Sequence, residues 1–198
     1  GIANAMNMID NMDGLAAGVS AIAAIGLAIL FQTAGGDAAH GVALAVAAAL
    51  VGFLLHNFHP ARIFMGDSGS VPLGFLGASL GVAGGLAGYW PWCFPVLVFS
   101  PFIVDATTTL LRRAWRGERV WEAHRSHFYQ RLVQMGVGHR RTALGAYCLM
   151  AGCGLSAVGI VQASFSMQCF VITMWVFLYL FMGFRIDRAW RRYVETGS

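Results

Sequence analysis

Residues 41–55, GVALAVAAALVGFLL, form an uninterrupted apolar run of 15 residues, and whether this run crosses a bilayer decides the fold. A spanning helix needs about 20 mostly apolar residues. The run therefore reads either as the core of a spanning helix over 38–55 or as a re-entrant hairpin. Arginine placement separates the two readings. All 13 basic residues are arginine: Arg62, eight between Arg112 and Arg141, and four from Arg185 to Arg192. If the run spans, every arginine falls on one side and the opposite loops carry only Asp37. If it turns back, Arg62, the arginine-rich segment and the tail cross to the other side, against the positive-inside rule.

Working outward, five further stretches are long and apolar enough, giving expected spans at 14–32, 38–55, 71–88, 93–111, 142–162 and 168–184. The composition agrees. The 198 residues are 58% hydrophobic and 11% charged, against about 25% charged in an ordinary soluble domain. Mean hydropathy is +0.64. The expected fold is an all-α polytopic membrane helix bundle of six transmembrane helices with both termini cytoplasmic. It forms one integral-membrane domain over 1–198, and 112–141 is its cytoplasmic Arg/His loop. The net charge of +4 is then a membrane-lipid signal, with no nucleic-acid partner expected.

Other features fit that frame. Tyr89, Trp90 and Trp92 suit the headgroup zone of an outer turn. Gly74, Gly77, Gly81, Gly84 and Gly88 form a smooth stripe that admits a neighbouring backbone, which is packing rather than chemistry. Cys93, Cys148, Cys153 and Cys169 have no metal spacing and read as packed thiols, with a Cys93–Cys169 disulfide as an alternative. The chain opens at Gly1 on polar residues without a leader, so a fragment or processed chain is expected.

Three polar segments share the arginine side. Asn4, Asn7, Asp10, Asn11 and Asp13 precede the first span. If helical, they wrap round one half of the helix and offer hard oxygen ligands to magnesium; a solvated, capped helix start explains them equally well. Next comes 62–70, RIFMGDSGS, before a helix with Pro72 in its first turn. Its amides are read as free to bind phosphate and Asp67 as a metal ligand, with an ordinary capped turn as the alternative. Third, His124, His127 and Arg131 stand at i, i+3 and i+7, a cationic helix face suited to pyrophosphate, whereas lipid anchoring explains most of the neighbouring arginines. Asp105, inside the fourth expected span, faces the bundle or pairs with Arg112 or a threonine among 107–109.

Residues 4–16, NAMNMIDNMDGLA, then 64–70, FMGDSGS, then Asp105 and 124–132 together resemble the polyprenyl-phosphate N-acetylhexosamine-1-phosphate transferases. The match corresponds to the C-terminal portion of an undecaprenyl-phosphate GlcNAc-1-phosphate transferase-like enzyme of glycosyltransferase family 4. The resemblance implies transfer of sugar 1-phosphate from a UDP-N-acetylhexosamine to a polyprenyl phosphate such as undecaprenyl phosphate. UMP is released and a lipid-linked cell-envelope glycan begins. It implies Mg2+, with Mn2+ as the alternative ion, held by Asn7 and Asp67. Asp10 supports the nucleotide or the metal, Asp13 contacts uracil and Phe64 stacks on it. His124, Arg125 and His127 grip the pyrophosphate, and Asn4 and Arg131 are further substrate contacts. Asp67, Asp10, His124 and His127 form the implied catalytic set.

A bacterial inner-membrane location with the active site facing the cytoplasm follows from the same resemblance, as does a homodimer as one admissible assembly. Two departures stand out. The family's upstream pair of adjacent aspartates is absent, and Arg125 and Ser126 separate the two histidines. The second departure resembles the branch acting on UDP-GlcNAc or related sugars for O-antigen or wall polymers. The alternatives are a membrane transporter half and a catalytically inactive fragment.

Overall fold

A computed structural model of the protein describes residues 2–119 and 126–196. Regular structure among them is helical: α1 (Ile2–Ile9), α2 (Leu15–Ala34), α3 (Asp37–Asn57), α4 (Asp67–Leu86), α5 (Cys93–Val98), α6 (Ser100–Trp115), α7 (Phe128–Gln134), α8 (His139–Ile160) and α9 (Phe165–Thr196). Five of these, α2, α3, α4, α8 and α9, are long and apolar enough to cross a membrane.

α2 is the hub of the bundle. Its sequence, LAAGVSAIAAIGLAILFQTA, is apolar on every face, and 14 of its 20 residues are buried, as expected for a helix with neighbours all round. α3, α4 and α8 pack on it. α3 offers only a narrow seam of Ala43, Ala47 and Leu50, and Leu50 packs with Ala17 and Ala21 of α2. Small side chains at such a seam let helices approach closely without a large polar cost. α3 is one continuous helix of 21 residues, so the 41–55 run is not a re-entrant hairpin, and its flanks complete a helix long and apolar enough to span.

The span expected at 93–111 is broken at Phe99. Pro101 has no N–H to donate to the Leu97 carbonyl, and the Ser100 hydroxyl takes that carbonyl instead at 2.6 Å. α5 therefore ends and α6 begins within a few residues, and neither helix reaches spanning length alone. Trp90 also departs from expectation. It is 4% exposed, packs on Phe31 with ring centroids 4.8 Å apart and donates to the Gly81 carbonyl at 3.3 Å. Trp92 remains exposed. The glycine stripe receives this packing. A Cβ at Gly81 would lie 2.8 Å from Pro95, and one at Gly74 would lie 2.6 Å from the Ala3 Cα. All four cysteines are free thiols, and of them only Cys153 is buried, so neither uniform packing nor the Cys93–Cys169 disulfide is found.

The segment 112–141 is more structured than a loop. α6 runs on to Trp115, α7 forms from Phe128 and α8 starts at His139. Arg112 and Arg131 meet Asp187 of α9 there, so this segment and the arginine-rich tail lie at one end of the bundle.

Candidate functional site

The first polar motif is not one continuous helical face. α1 stops at Ile9, and Gly14, with φ 70°, opens α2 in a left-handed conformation that favours glycine. Ala5, Met6 and Ile9 turn inward, Asn4 is exposed and Asn7 is half-buried. Asp10, Asn11 and Asp13 lie in the intervening turn. Tyr129 of α7 pins that turn, its hydroxyl donating to the Met8 carbonyl at 2.7 Å with Asn11 Oδ1 3.2 Å away.

The Asp10 carboxylate joins the two motifs. Its Oδ2 accepts the Gly66 N–H at 2.7 Å. Gly66 has φ 63° and ψ 179°, a conformation essentially restricted to glycine, and this explains why glycine precedes Asp67. Burial raises the Asp10 carboxyl above the ordinary carboxylate range; the Gly66 bond opposes the shift and the nearby charge of Asp67 adds to it. The expected phosphate cradle is therefore partly occupied. Gly66 N–H goes to Asp10, while the Gly69 and Ser70 amides return to the Gly66 carbonyl at 3.1 and 2.9 Å.

Asp13 is held by the connection between α3 and α4. Its Oδ2 accepts from His59 Nδ1 at 2.6 Å and from the Ala61 N–H at 3.2 Å, while His139 Nδ1 stands 3.9 Å from its Oδ1. Burial alone would raise this carboxyl, but the bonds from His59 and Ala61 and the charge of His139 hold it below the ordinary range. Buried Asn57 shapes the same connection by donating to the Ile63 carbonyl at 2.9 Å. Phe64 beside it is 60% exposed, a ring open to stacking.

A second group surrounds α7. Asp105 Oδ1 accepts from the Phe128 N–H at 2.9 Å at the start of that helix, a favourable place for an anion. It also receives the Thr109 hydroxyl at 3.4 Å and lies 3.6 Å from His127 Nδ1. The threonine pairing expected for Asp105 is present, whereas Arg112 goes to Asp187. His127 sits in extended conformation just before α7, so it does not share a helical face with Arg131. His124 and Arg125 lie outside the described residues. Arg131 is largely buried, bonded to Asp187 at 3.0 Å and lying over the Phe128 and Trp190 rings.

Asp10, Asp13, Asp67 and Phe64 thus share the end of the bundle where α1, α2 and α4 meet, and Tyr129 couples this group to α7. Sequence reasoning passed over His59, His139, Tyr129 and Asp187. His59 precedes the 62–70 motif closely enough to have been considered. His139 was hidden beside Arg140 and Arg141, and Asp187 among the four tail arginines.

Residues 1–85 match the glycosyl transferase family 4 pattern. A Bacillus subtilis protein described as "Probable undecaprenyl-phosphate N-acetylglucosaminyl 1-phosphate transferase" is 34% identical over 177 residues, covering 87% of this chain and 49% of that protein. The Mycobacterium tuberculosis "Decaprenyl-phosphate N-acetylglucosaminephosphotransferase" is 34% identical over 185 residues, covering 83% of this chain and 45% of its own length. A Synechococcus "Phospho-N-acetylmuramoyl-pentapeptide-transferase" is 37% identical over 149 residues, covering 73% and 38% respectively. The chain spans about half the length, or less, of these curated relatives.

Proposed function

This chain is a relative of the polyprenyl-phosphate N-acetylhexosamine-1-phosphate transferases of glycosyl transferase family 4, and from that premise we propose that it carries the polar face on which a UDP-N-acetylhexosamine meets a polyprenyl phosphate. The observation that carries the reading is the bond from Gly66 to Asp10, which joins the 4–16 and 64–70 motifs into one acidic, oxygen-rich end. In the proposed reaction an oxygen of the lipid phosphate attacks the β-phosphorus of the UDP-sugar. The bond to the UMP oxygen breaks in line, and a lipid-linked pyrophosphoryl sugar and UMP leave. Such a transfer needs positioning and charge neutralisation more than covalent help from the protein.

The donor set fits magnesium. Asp10 and Asp67 repel one another, and a hard divalent cation that accepts carboxylate and amide oxygens relieves that repulsion. Asp67 and Asn7 would hold the ion, with Asp10 supporting it, and the ion would supply neutralisation of the phosphate charge; manganese has the same preference for oxygen. Asp13, kept ionised by its partners, and the open ring of Phe64 suit the two edges of a nucleobase. His127, with Asp105 beside it, would contact pyrophosphate.

Membranes carrying the protein are expected to release UMP from UDP-GlcNAc only when both polyprenyl phosphate and Mg2+ are supplied. Release that persists without the lipid acceptor overturns the proposal.

The membrane frame belongs to the same proposal: six crossings in a bacterial cytoplasmic membrane, α5 and α6 together making the fourth, with both termini and the polar end cytoplasmic. α9, where Trp175 is the one buried residue of 32, offers its apolar length to lipid and, in a homodimer, to a second copy. In a cysteine-free background, a cysteine at Ser68 is expected to react with a membrane-impermeant maleimide only in inverted vesicles. Labelling in intact cells reverses the topology.

A further inference from the structure

We propose that Asp13, His59 and His139 form a binding site for a transition-metal cation of the zinc class, separate from the magnesium set above but sharing Asp13 with the proposed nucleobase contact. The three side chains come from the turn between α1 and α2, the connection between α3 and α4, and the first residue of α8. Each presents one donor atom, and the three atoms lie within 4.8 Å of one another.

His59 Nδ1 lies 2.6 Å from Asp13 Oδ2 and donates to it, and it gives up that proton to solvent on taking the ion. No such bond accounts for His139. The Nδ1 of His139 is shielded from solvent and has no hydrogen-bond partner, yet it points at Asp13 Oδ1 from 3.9 Å, beyond hydrogen-bond reach. Zinc binds imidazole nitrogen at about 2.0–2.1 Å and carboxylate oxygen at about 2.0–2.2 Å, so two donors of a tetrahedral site stand about 3.4 Å apart, and the His139 ring has about half an ångström to close on taking the ion. The histidine rings stack at 16° with centroids 5.6 Å apart, and the Nδ1 of each faces one oxygen of the Asp13 carboxylate. The His59 and His139 side chains are 42% and 38% exposed, leaving an entry path and room for water to complete the coordination.

Two imidazoles and one carboxylate select the ion. Imidazole nitrogen suits zinc, copper, nickel and iron, whereas magnesium prefers an all-oxygen set. A bound ion would tie three separate elements together at the polar end of the bundle. Its role is read from metal content and stability, not from turnover.

The test uses the full chain in detergent, stripped of metal and dialysed against Zn2+ with excess Mg2+, with Co2+ as the coloured probe. The wild type should retain one zinc per chain and unfold at a higher temperature with zinc. His59→Gln and His139→Gln should each weaken binding by about 100-fold, since even second-shell changes cost 10–100-fold. Asp67→Asn should bind zinc as the wild type does. Equal retention in the wild type and both histidine variants indicates adventitious zinc only and overturns the site. Should either variant fail to fold, a wild-type Co2+ spectrum no different from that of the hydrated ion also overturns it.

Discussion

Asp67→Asn is expected to lower UMP release by about 10²–10³-fold without loosening the fold. The magnitude follows from what the site has to do. A preorganised charge-stabilising group at a transferring centre is typically worth 10²–10³ in rate, and Asp67 is proposed to ligate the ion that neutralises the phosphates. The stability side rests on geometry. Asp67 is exposed at the first turn of α4, where a substitution normally changes stability by less than about 0.5 kcal/mol. Turnover within a few-fold of the wild type at saturating Mg2+ would remove Asp67 from the metal set.

The electrostatics of Asp10 give this prediction a sign that a merely structural role would not produce. Asp10 has a raised carboxyl, through burial first and Asp67 in addition. A carboxyl with a raised folded pKa contributes stability that is fully present below its unfolded value and lost as pH rises through the folded value. At neutral pH, without a cation, the charged Asp10 therefore opposes the fold. Removing the Asp67 charge lessens that opposition, so metal-free Asp67→Asn should unfold no earlier than the wild type while being almost inactive. In the wild type, protons and Mg2+ compete for Asp10, so the Mg2+ concentration for half-maximal rate should rise as pH falls toward the carboxylate range. Asp13 has the opposite sign: its contribution is present above the ordinary carboxylate value and lost only as pH falls through its lowered one.

The helices were more legible in the sequence than the contacts between them. Apolar length located α2, α3, α4, α8 and α9 because it is a sum over many residues. The break at Phe99 turns on one missing N–H at Pro101 and one hydroxyl at Ser100, a local event that apolar length averages away; proline was the available signal. Likewise, α1 stops at Ile9 and Gly14 opens α2 in a left-handed conformation, so Asp10 and Asp13 occupy a turn rather than the helix that carries Asn4 and Asn7. Asp10, Asp13 and Asp67 were legible as residue types in a pattern. Their partners were not, because the bond from Gly66 to Asp10 closes over 56 residues and that from His59 to Asp13 over 46, and no local periodicity records such pairs. Arg131 shows the converse. Its spacing marked it as a substrate cation, and the structure gives its guanidinium a carboxylate and two aromatic rings.

That arrangement sets the second large effect: Asp187→Ala is expected to destabilise the protein by about 3 kcal/mol and to lower turnover with it. Asp187 accepts from Arg112 Nη1 at 2.7 Å and Nη2 at 2.6 Å and from Arg131 Nη1 at 3.0 Å. Phe128 lies beneath both guanidinium groups, at 4.9 and 5.9 Å. One carboxylate from α9 thus clamps α6 to α7 across 75 and 56 residues of sequence. Arg131 has a side chain only 9% exposed, and without Asp187 it keeps a buried charge facing a second arginine. Breaking a buried pair from one side costs about 3–5 kcal/mol, and the partial exposure of Arg112 and Asp187, at 34% and 25%, puts this case at the lower end. The loss should reach the site because α7 starts immediately after His127 and carries Tyr129, which pins the turn holding Asp10 and Asp13. Thermal unfolding of Asp187→Ala, Arg131→Met and the double variant checks it. The double variant should be more stable than Asp187→Ala alone, since the stranded charge has gone. If the two single effects simply add, the pair is not coupled and α7 is held by its apolar contacts instead.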